Sequence, residues 1–151
     1  MLLSASKCNI KNGNFSVQCD FNLKIGNHLS FFGPSGSGKS SVLLGLAGFL
    51  PVIYGELIYD DKSISNMEPK DRPFDLLFQD NNLFPHLTVS KNILLGLGTK
   101  AKMDTQNSNI VNEIIELVGL SKERDRLPEH ISGGQRSRAA IARSLIRKKP
   151  I

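Results

Sequence analysis

Gly33-Pro-Ser-Gly-Ser-Gly-Lys-Ser40 packs the most chemistry into the fewest residues of the chain. Its glycines allow positive φ and let a ligand approach the backbone with no Cβ in the way. Backbone N–H groups from about Ser35 to Ser41 then converge on an anion at a helix N-terminus, where the helix dipole also favours negative charge. Lys39 adds a mobile cation for the outer phosphates, and the Ser40 hydroxyl is placed to ligate Mg2+, which takes few protein ligands and completes its shell with phosphate oxygens. The expected nucleotide contacts are therefore Gly33, Pro34, Ser35, Gly36, Ser37, Gly38, Lys39, Ser40 and Ser41. A glycine-rich surface turn before a helix is the alternative; residue usage makes such a chance match in a chain of this length about one in a hundred. Kinases, GTPases and motor ATPases share the motif, so it does not name the reaction.

The loop needs a strand before it and a helix after it. His28-Leu-Ser-Phe-Phe32 predicts the strand, with His28 structural, and Ser40 to Leu50 predicts the helix, with Gly45 and Gly48 for close packing and Pro51 as its end. Upstream, Phe15 to Ile25 alternates apolar and polar residues, a half-buried strand that pairs with Met1 to Ile10 in a small antiparallel sheet. Tyr54 to Lys62 reads as a strand and tight turn. Arg72 to Phe78 is a short apolar strand running into Gln79. Polar side chains at the C-terminal end of a parallel strand are where an open α/β sheet places ligand contacts. Gln79 there reaches Mg2+ or an attacking water, or is an ordinary loop glutamine. His86 has no Cys, His or carboxylate at ligand spacing and belongs to a loop or interface.

Thr88 caps a helix from about Val89 to Leu97, and Asn109 to Val118 forms another, with Ile110, Ile114, Leu117 and Val118 on one face and Gly119 at its end. A last helix begins around Gln135; Ala139, Ala140, Ile141, Leu145 and Ile146 form its packing stripe, and Arg136, Arg138, Arg143 and Arg147 stay in water. Ser132-Gly133-Gly134 before it is either a second phosphate-binding turn or a plain serine cap.

The 151 residues suit one domain, and an apolar fraction of 40% supplies a core. Val42 to Gly55, the longest nearly uncharged apolar stretch, is too short to span a bilayer, and the N-terminus carries no secretory signal. A cytosolic protein, docked on a membrane as a peripheral component, is the expectation. Cys8 and Cys19 are too few for a disulfide framework or zinc site and are expected to be reduced. The net charge of +5 is concentrated late, with nine Lys/Arg against three acids from Lys122 to Lys149. No aromatic residue interleaves those charges to stack on bases, so a solvated helix face is expected and nucleic acid is not.

Gly33 to Ser41, the strand ending in Phe78-Gln79, and Ile131-Ser-Gly-Gly-Gln-Arg136 before an Ala/Arg-rich helix resemble, in this order, the ATP-binding subunit of ABC transporters. Leu77 to Val89 and Ala47-Gly-Phe-Leu50 look most like the subunits of bacterial thiamine or thiamine-pyrophosphate importers. The resemblance implies an α/β P-loop NTPase of the ABC ATPase type, with an N-terminal antiparallel β piece and a helical subdomain. It divides residues 1–151 into a phosphate-loop core and β piece (1–87), a helical subdomain (88–130) and a signature with its helix (131–151). ATP and Mg2+ are the implied cofactors, Ser40 and Gln79 the metal contacts, and Gln79 the positioner of metal or water. Ser132, Gly133, Gly134 and Gln135 would contact the ATP of a second ATP-binding subunit in a head-to-tail dimer. Transmembrane permease subunits would be direct partners at the cytoplasmic face of the membrane and a periplasmic binding protein an indirect one.

The family's adenine-stacking aromatic has no counterpart in Lys7 to Asn14, which leaves Phe15. In the resemblance the metal-site aspartate, the catalytic glutamate and the γ-phosphate histidine follow Lys148-Lys149-Pro150-Ile151, so the C-terminal part of the core is expected to be missing. Hydrolysis close to background is then the expectation for these residues alone. A non-catalytic truncated nucleotide-binding module and an ABC ATPase of the DNA-repair or chromosome kind are the competing readings.

Overall fold

A computed structural model describes residues 2–78 and 83–151, which fall into two compact units, Met1–Phe74 with Ile151, and Asp75–Pro150. In the first unit β1 (Leu3–Asn12) and β2 (Phe15–Leu23) form a hairpin, and its period-2 alternation appears directly in the burial of β2: Val17, Cys19, Phe21 and Leu23 face the core. Helix α1 spans Lys39–Leu46, β3 spans Val52–Tyr59, and β4 is the pair Lys62–Ser63. The sheet is antiparallel throughout in the order β2-β1-β3-β4. Asp60 and Asp61, both at positive φ (46° and 61°), make the two-residue turn from β3 to β4, a conformation that aspartate tolerates better than most side chains. Leu3, Ala5, Cys8, Leu57 and Ile64 close over Val42 and Leu46 of α1 to form the core. A Cβ on Gly45 would lie 2.5–2.8 Å from the Ile10 side chain, so the helix approaches β1 at a distance only glycine permits.

Two segments expected as strands are not strands. His28–Phe32 and Arg72–Phe78 pair with no strand among the described residues. Phe31 packs on the core and meets Phe21 edge-on at 5.8 Å, yet Leu29 is 41% and Phe32 93% exposed. An apolar run signals burial; a strand also needs a neighbouring backbone to complete its ladder, and the sequence pattern reports only the first. The helix after the loop is shorter than expected: it ends at Leu46, where Gly48 takes φ 87° and Phe49 N–H bonds back to Leu44 O at 2.9 Å, and Arg72 serves that end. Its guanidinium, 2% exposed, donates to the carbonyls of Gly45 (2.7 Å) and Leu46 (2.8 Å) at the end of α1, and to those of Ser65 (2.7 Å) and Met67 (3.0 Å). One side chain thus satisfies helix-end acceptors and fixes the 65–72 segment to α1.

The second unit is helical, with α2 (Val89–Leu94), a 3-10 turn at Leu95–Leu97, α3 (Thr105–Leu117) and α4 (Gly133–Leu145). Each helix begins with a side-chain cap: Thr88 accepts from Lys91 N–H, Asp104 from Asn107 N–H, and Ser132 from Gln135 N–H. Val89, Ile93, Val111, Ile115, Leu120, Ile131, Ala139, Ala142 and Ile146 form its core. The stripe on α4 keeps the expected Ala139, Ala140 and Ile146, which are buried, and adds Ala142, while Ile141 and Leu145 are 41% and 47% exposed. Arg136 and Arg143 are half-buried rather than wet. Arg136 donates to Ile131 O at 2.8 Å, and Arg143 lies over the Phe84 ring at 6.0 Å.

Asn92 is fully buried in α2 and holds the preceding loop. Its Oδ1 accepts from Phe84 N–H at 2.7 Å, and its amide donates to the carbonyls of Phe84, Leu87 and Thr88 at 2.9–3.1 Å. Asn92→Leu keeps the volume and strands those groups, which should cost about 2–4 kcal/mol. Thermal melting reads that loss, and limited proteolysis should show faster cutting between Phe84 and Thr88; an unchanged melt would disprove the clamp.

Candidate nucleotide-phosphate site

The glycine-rich loop leaves the extended segment at Phe32 and turns through Gly36 (φ 82°) and Gly38 (φ 93°) into α1. Gly36 has open space around its missing Cβ, so its requirement is conformational. Gly38 is constrained twice: beyond its φ, a Cβ would meet Phe15 Cε1 at 3.0 Å and Val17 Cβ at 3.1 Å. The start of β2 therefore lies against the loop, and Phe15, 45% exposed, sits beside the helix entrance. Gly38 is the N-cap of α1 and supplies no side-chain cap, unlike Thr88, Asp104 and Ser132, the N-caps of α2, α3 and α4. Nor does α1 carry an acid in its first turn. Its N-terminal N–H groups and dipole thus face the loop with no side-chain anion competing for them.

Lys39 turns back over the loop. Its ammonium donates to Gly33 O at 2.9 Å and Pro34 O at 2.7 Å, with Ser37 Oγ at 3.4 Å. The cation is thus folded over the loop and held by its backbone carbonyls. Ser40 is exposed. Ser41 is 7% exposed and its Oγ accepts from Asn12 Nδ2 at 3.1 Å. The Asn12–Ser41 bond also ties α1 to the β1–β2 turn. Gln79 lies outside the described residues.

In the second unit, Ser132 and Gln135 form a reciprocal capping box. Ser132 N–H donates to Gln135 Oε1 at 2.8 Å, and Gln135 N–H donates to Ser132 Oγ at 3.2 Å. The serine-cap reading of this turn is realised, and it does not exhaust the serine: an Oγ that accepts one N–H still has its own O–H to donate. Gly133 and Gly134 have nothing closer than 3.8 Å to a built Cβ, so their backbone is open to an approaching group.

Arg72 and Asn92 were not legible as structural centres. Arg72 lies in Asp71-Arg72-Pro73, where a solvated charge is the usual reading. Asn92 did leave a signal: it falls between Val89 and Ile93 on the apolar face, three residues from one and next to the other.

A glycine-rich loop opening a helix without a side-chain cap, an antiparallel β piece resting on that loop, and a helical unit bearing a Ser-Gly-Gly turn define a P-loop nucleotide-binding domain of the ATP-binding cassette type. A model described as ABC transporter matches residues 17–151, and the chain belongs to this family. Among curated relatives it is 44% identical over 140 residues to the thiamine import ATP-binding protein ThiQ of Photobacterium profundum, covering 93% of this chain and 58% of the relative. ThiQ of Cereibacter sphaeroides is 37% identical over 150 residues, with 99% and 65% covered. The chain thus spans less than two thirds of the length of these relatives. Among solved structures, the ATP-binding cassette MJ0796, in a dimeric post-hydrolysis state bound to ADP and Pi, superposes with a TM-score of 0.79 at 26% identity, over 99% of this chain and 71% of that one. MJ1267, an ATP-binding cassette of an ABC transporter, gives 0.78 at 23% identity over 98% and 66%. The fold is that of an ABC ATPase domain. Among the described residues, no helix is long and apolar enough to cross a membrane.

Proposed function

We propose that the chain is the phosphate-loop and signature-bearing part of an ATP-binding subunit that powers import, with thiamine as the substrate class. The observation that carries the nucleotide reading is the Gly33–Ser41 loop, with the Lys39 ammonium folded over it and α1 entered through Gly38 without a side-chain cap. In this reading the loop N–H groups cradle the β- and γ-phosphates and Lys39 exchanges its carbonyl partners for phosphate oxygens. Phe15, beside the loop, is the proposed aromatic surface for the base. Thiamine rests on the names of the curated relatives.

Mg2+, when bound, would supply neutralisation of the phosphate charge. The donor this chain offers fits that ion: Ser40 presents an exposed neutral hydroxyl at the second residue of α1, a ligand for a cation that keeps most of its shell from water and phosphate. Gln79 is the second proposed contact, orienting metal or water. Ser132, Gly133, Gly134 and Gln135 are proposed to donate to the γ-phosphate of ATP held by a second ATP-binding subunit. Closure of that dimer on ATP, and its reopening after hydrolysis, would be read by permease subunits at the cytoplasmic membrane face, with a periplasmic binding protein acting through them.

Calorimetric titration with MgATP tests the cradle directly, and saturable binding is expected. Ser132→Ala separates the two half-sites: it removes an N-cap worth about 1 kcal/mol, leaves the affinity of one chain for MgATP unchanged, and weakens ATP-dependent pairing of the full-length subunit. Loss of binding to the single chain, read by the same titration, would contradict a contact made to the partner's nucleotide.

A further inference from the structure

The nucleotide site uses neither cysteine, yet the fold places the two together. Cys8 of β1 and Cys19 of β2 stand directly opposite each other in the antiparallel register. Opposed residues on such a pair share a face, with Cα atoms about 4.5–5.5 Å apart, inside the range of roughly 4.4–6.8 Å that a disulfide spans. Both are free thiols. Cys8 is 1% exposed and directs its Sγ to Glu56 O at 3.0 Å. Cys19 is half-buried, and with Lys7, Gln18, Asp20 and Tyr54 it lines an open cavity of about 350 Å³. Cys19 is therefore the more exposed thiol of the pair.

The backbone beside the pair is already fixed. Register shifts between Ala5 and Cys8 mark a bulge, Lys7 takes φ 48°, and its N–H donates to the Asp20 carboxylate at 3.1 Å. On the other side, a Cβ at Gly55 would run into the carbonyls of Ser6 and Lys7. The strands cannot slide to separate the two sulfurs.

We propose that Cys8 and Cys19 are a redox modification site, converted to a cross-strand disulfide by a low-molecular-weight disulfide such as oxidised glutathione. Cys19, the more exposed of the two, attacks the small disulfide, forming a mixed disulfide and releasing one glutathione thiol. Cys8 then attacks the Cys19 sulfur of that mixed disulfide and releases the second glutathione thiol. Two protein thiols are oxidised and one glutathione disulfide is reduced to two thiols; each attacking sulfur gives up its proton to solvent, and each leaving thiolate takes one back. The low-pH side of the process is slow. Burial, with Cys8 and Asp20 adding to it, pushes the Cys19 thiol up to about 11, and burial raises the Cys8 thiol as well. The charged and titratable groups around the pair are Lys7, Asp20, Tyr54 and Glu56. Since the thiolate is the attacking species, the rate should climb steadily as pH rises toward 9 and beyond.

The test is incubation of the chain with oxidised glutathione at about pH 8.5, followed by alkylation under denaturing conditions and intact-mass measurement. The expected product is lighter by two hydrogens, takes up no alkylating agent, and melts roughly 5–10 °C above the reduced chain. Cys8→Ser should stop at one glutathione bound to Cys19. The wild-type arm stands without that variant should it fail to fold. A lasting glutathione adduct on the wild-type chain, a disulfide between two chains, or two thiols that stay alkylatable would each overturn the assignment.

Discussion

Replacing Lys39 with alanine should weaken MgATP binding by about 100-fold, equivalent to about 2.7 kcal/mol. A charge-assisted hydrogen bond contributes roughly 1.5–3 kcal/mol, and Lys39 is the one residue of the loop motif that brings a full positive charge to the phosphates. The loss should appear as weaker binding and not as unfolding. The lysine ammonium contacts exposed loop atoms, Gly33 O and Pro34 O, which water can satisfy, while α1 is anchored by the buried Val42, Gly45 and Leu46. Isothermal calorimetry on the melt-checked variant measures it. Affinity within threefold of the parent chain would remove the cradle assignment, and with it the reading of the loop as the nucleotide site.

The second large effect is on stability. Arg72→Met should destabilise the first unit by about 3–5 kcal/mol, a large part of the roughly 5–15 kcal/mol that holds a domain together. Methionine fills most of the volume but donates nothing, leaving the carbonyls of Gly45, Leu46, Ser65 and Met67 without the guanidinium. Arg72→Lys should recover little, because a single ammonium cannot reach acceptors spread around a planar fork. Burial lowers the Arg72 pKa, but the group stays charged through any pH at which the chain is folded. Its contribution should therefore be flat with pH, and chemical denaturation across pH 5–9 would expose a titrating substitute.

What the sequence made legible was local. The Gly33–Ser41 motif, the alternation of Phe15 to Leu23, the Thr88 cap and the Gly119 stop are written within a few residues, and each has its counterpart in the fold. Helix α3 begins at Thr105, four residues earlier than its apolar face suggested, because Asp104 caps it; the first turn, Thr105 to Ser108, is polar and leaves no periodic trace. The failures share one cause. Whether His28–Phe32 becomes a strand depends on what lies beside it, and whether Arg72 is wet or buried depends on a helix end 26 and 27 residues away. Composition and periodicity carry no information on either. The register that sets Cys8 against Cys19 was equally invisible, since it depends on where the bulge falls and not on the spacing of the cysteines.

Asn92 gives the helical unit a mechanical property. Four hydrogen bonds through one amide couple the Phe84–Thr88 loop to α2 with little slack, and α2 packs against α4, whose first turn is the Ser132 cap. Phe84 also touches that helix through Arg143. A load applied at the loop tip would thus be delivered to the Ser-Gly-Gly turn as a displacement of whole helices, with the amide as the pin of a lever. Stiffness at this joint, more than affinity at either end, would then set how much of a push survives the journey.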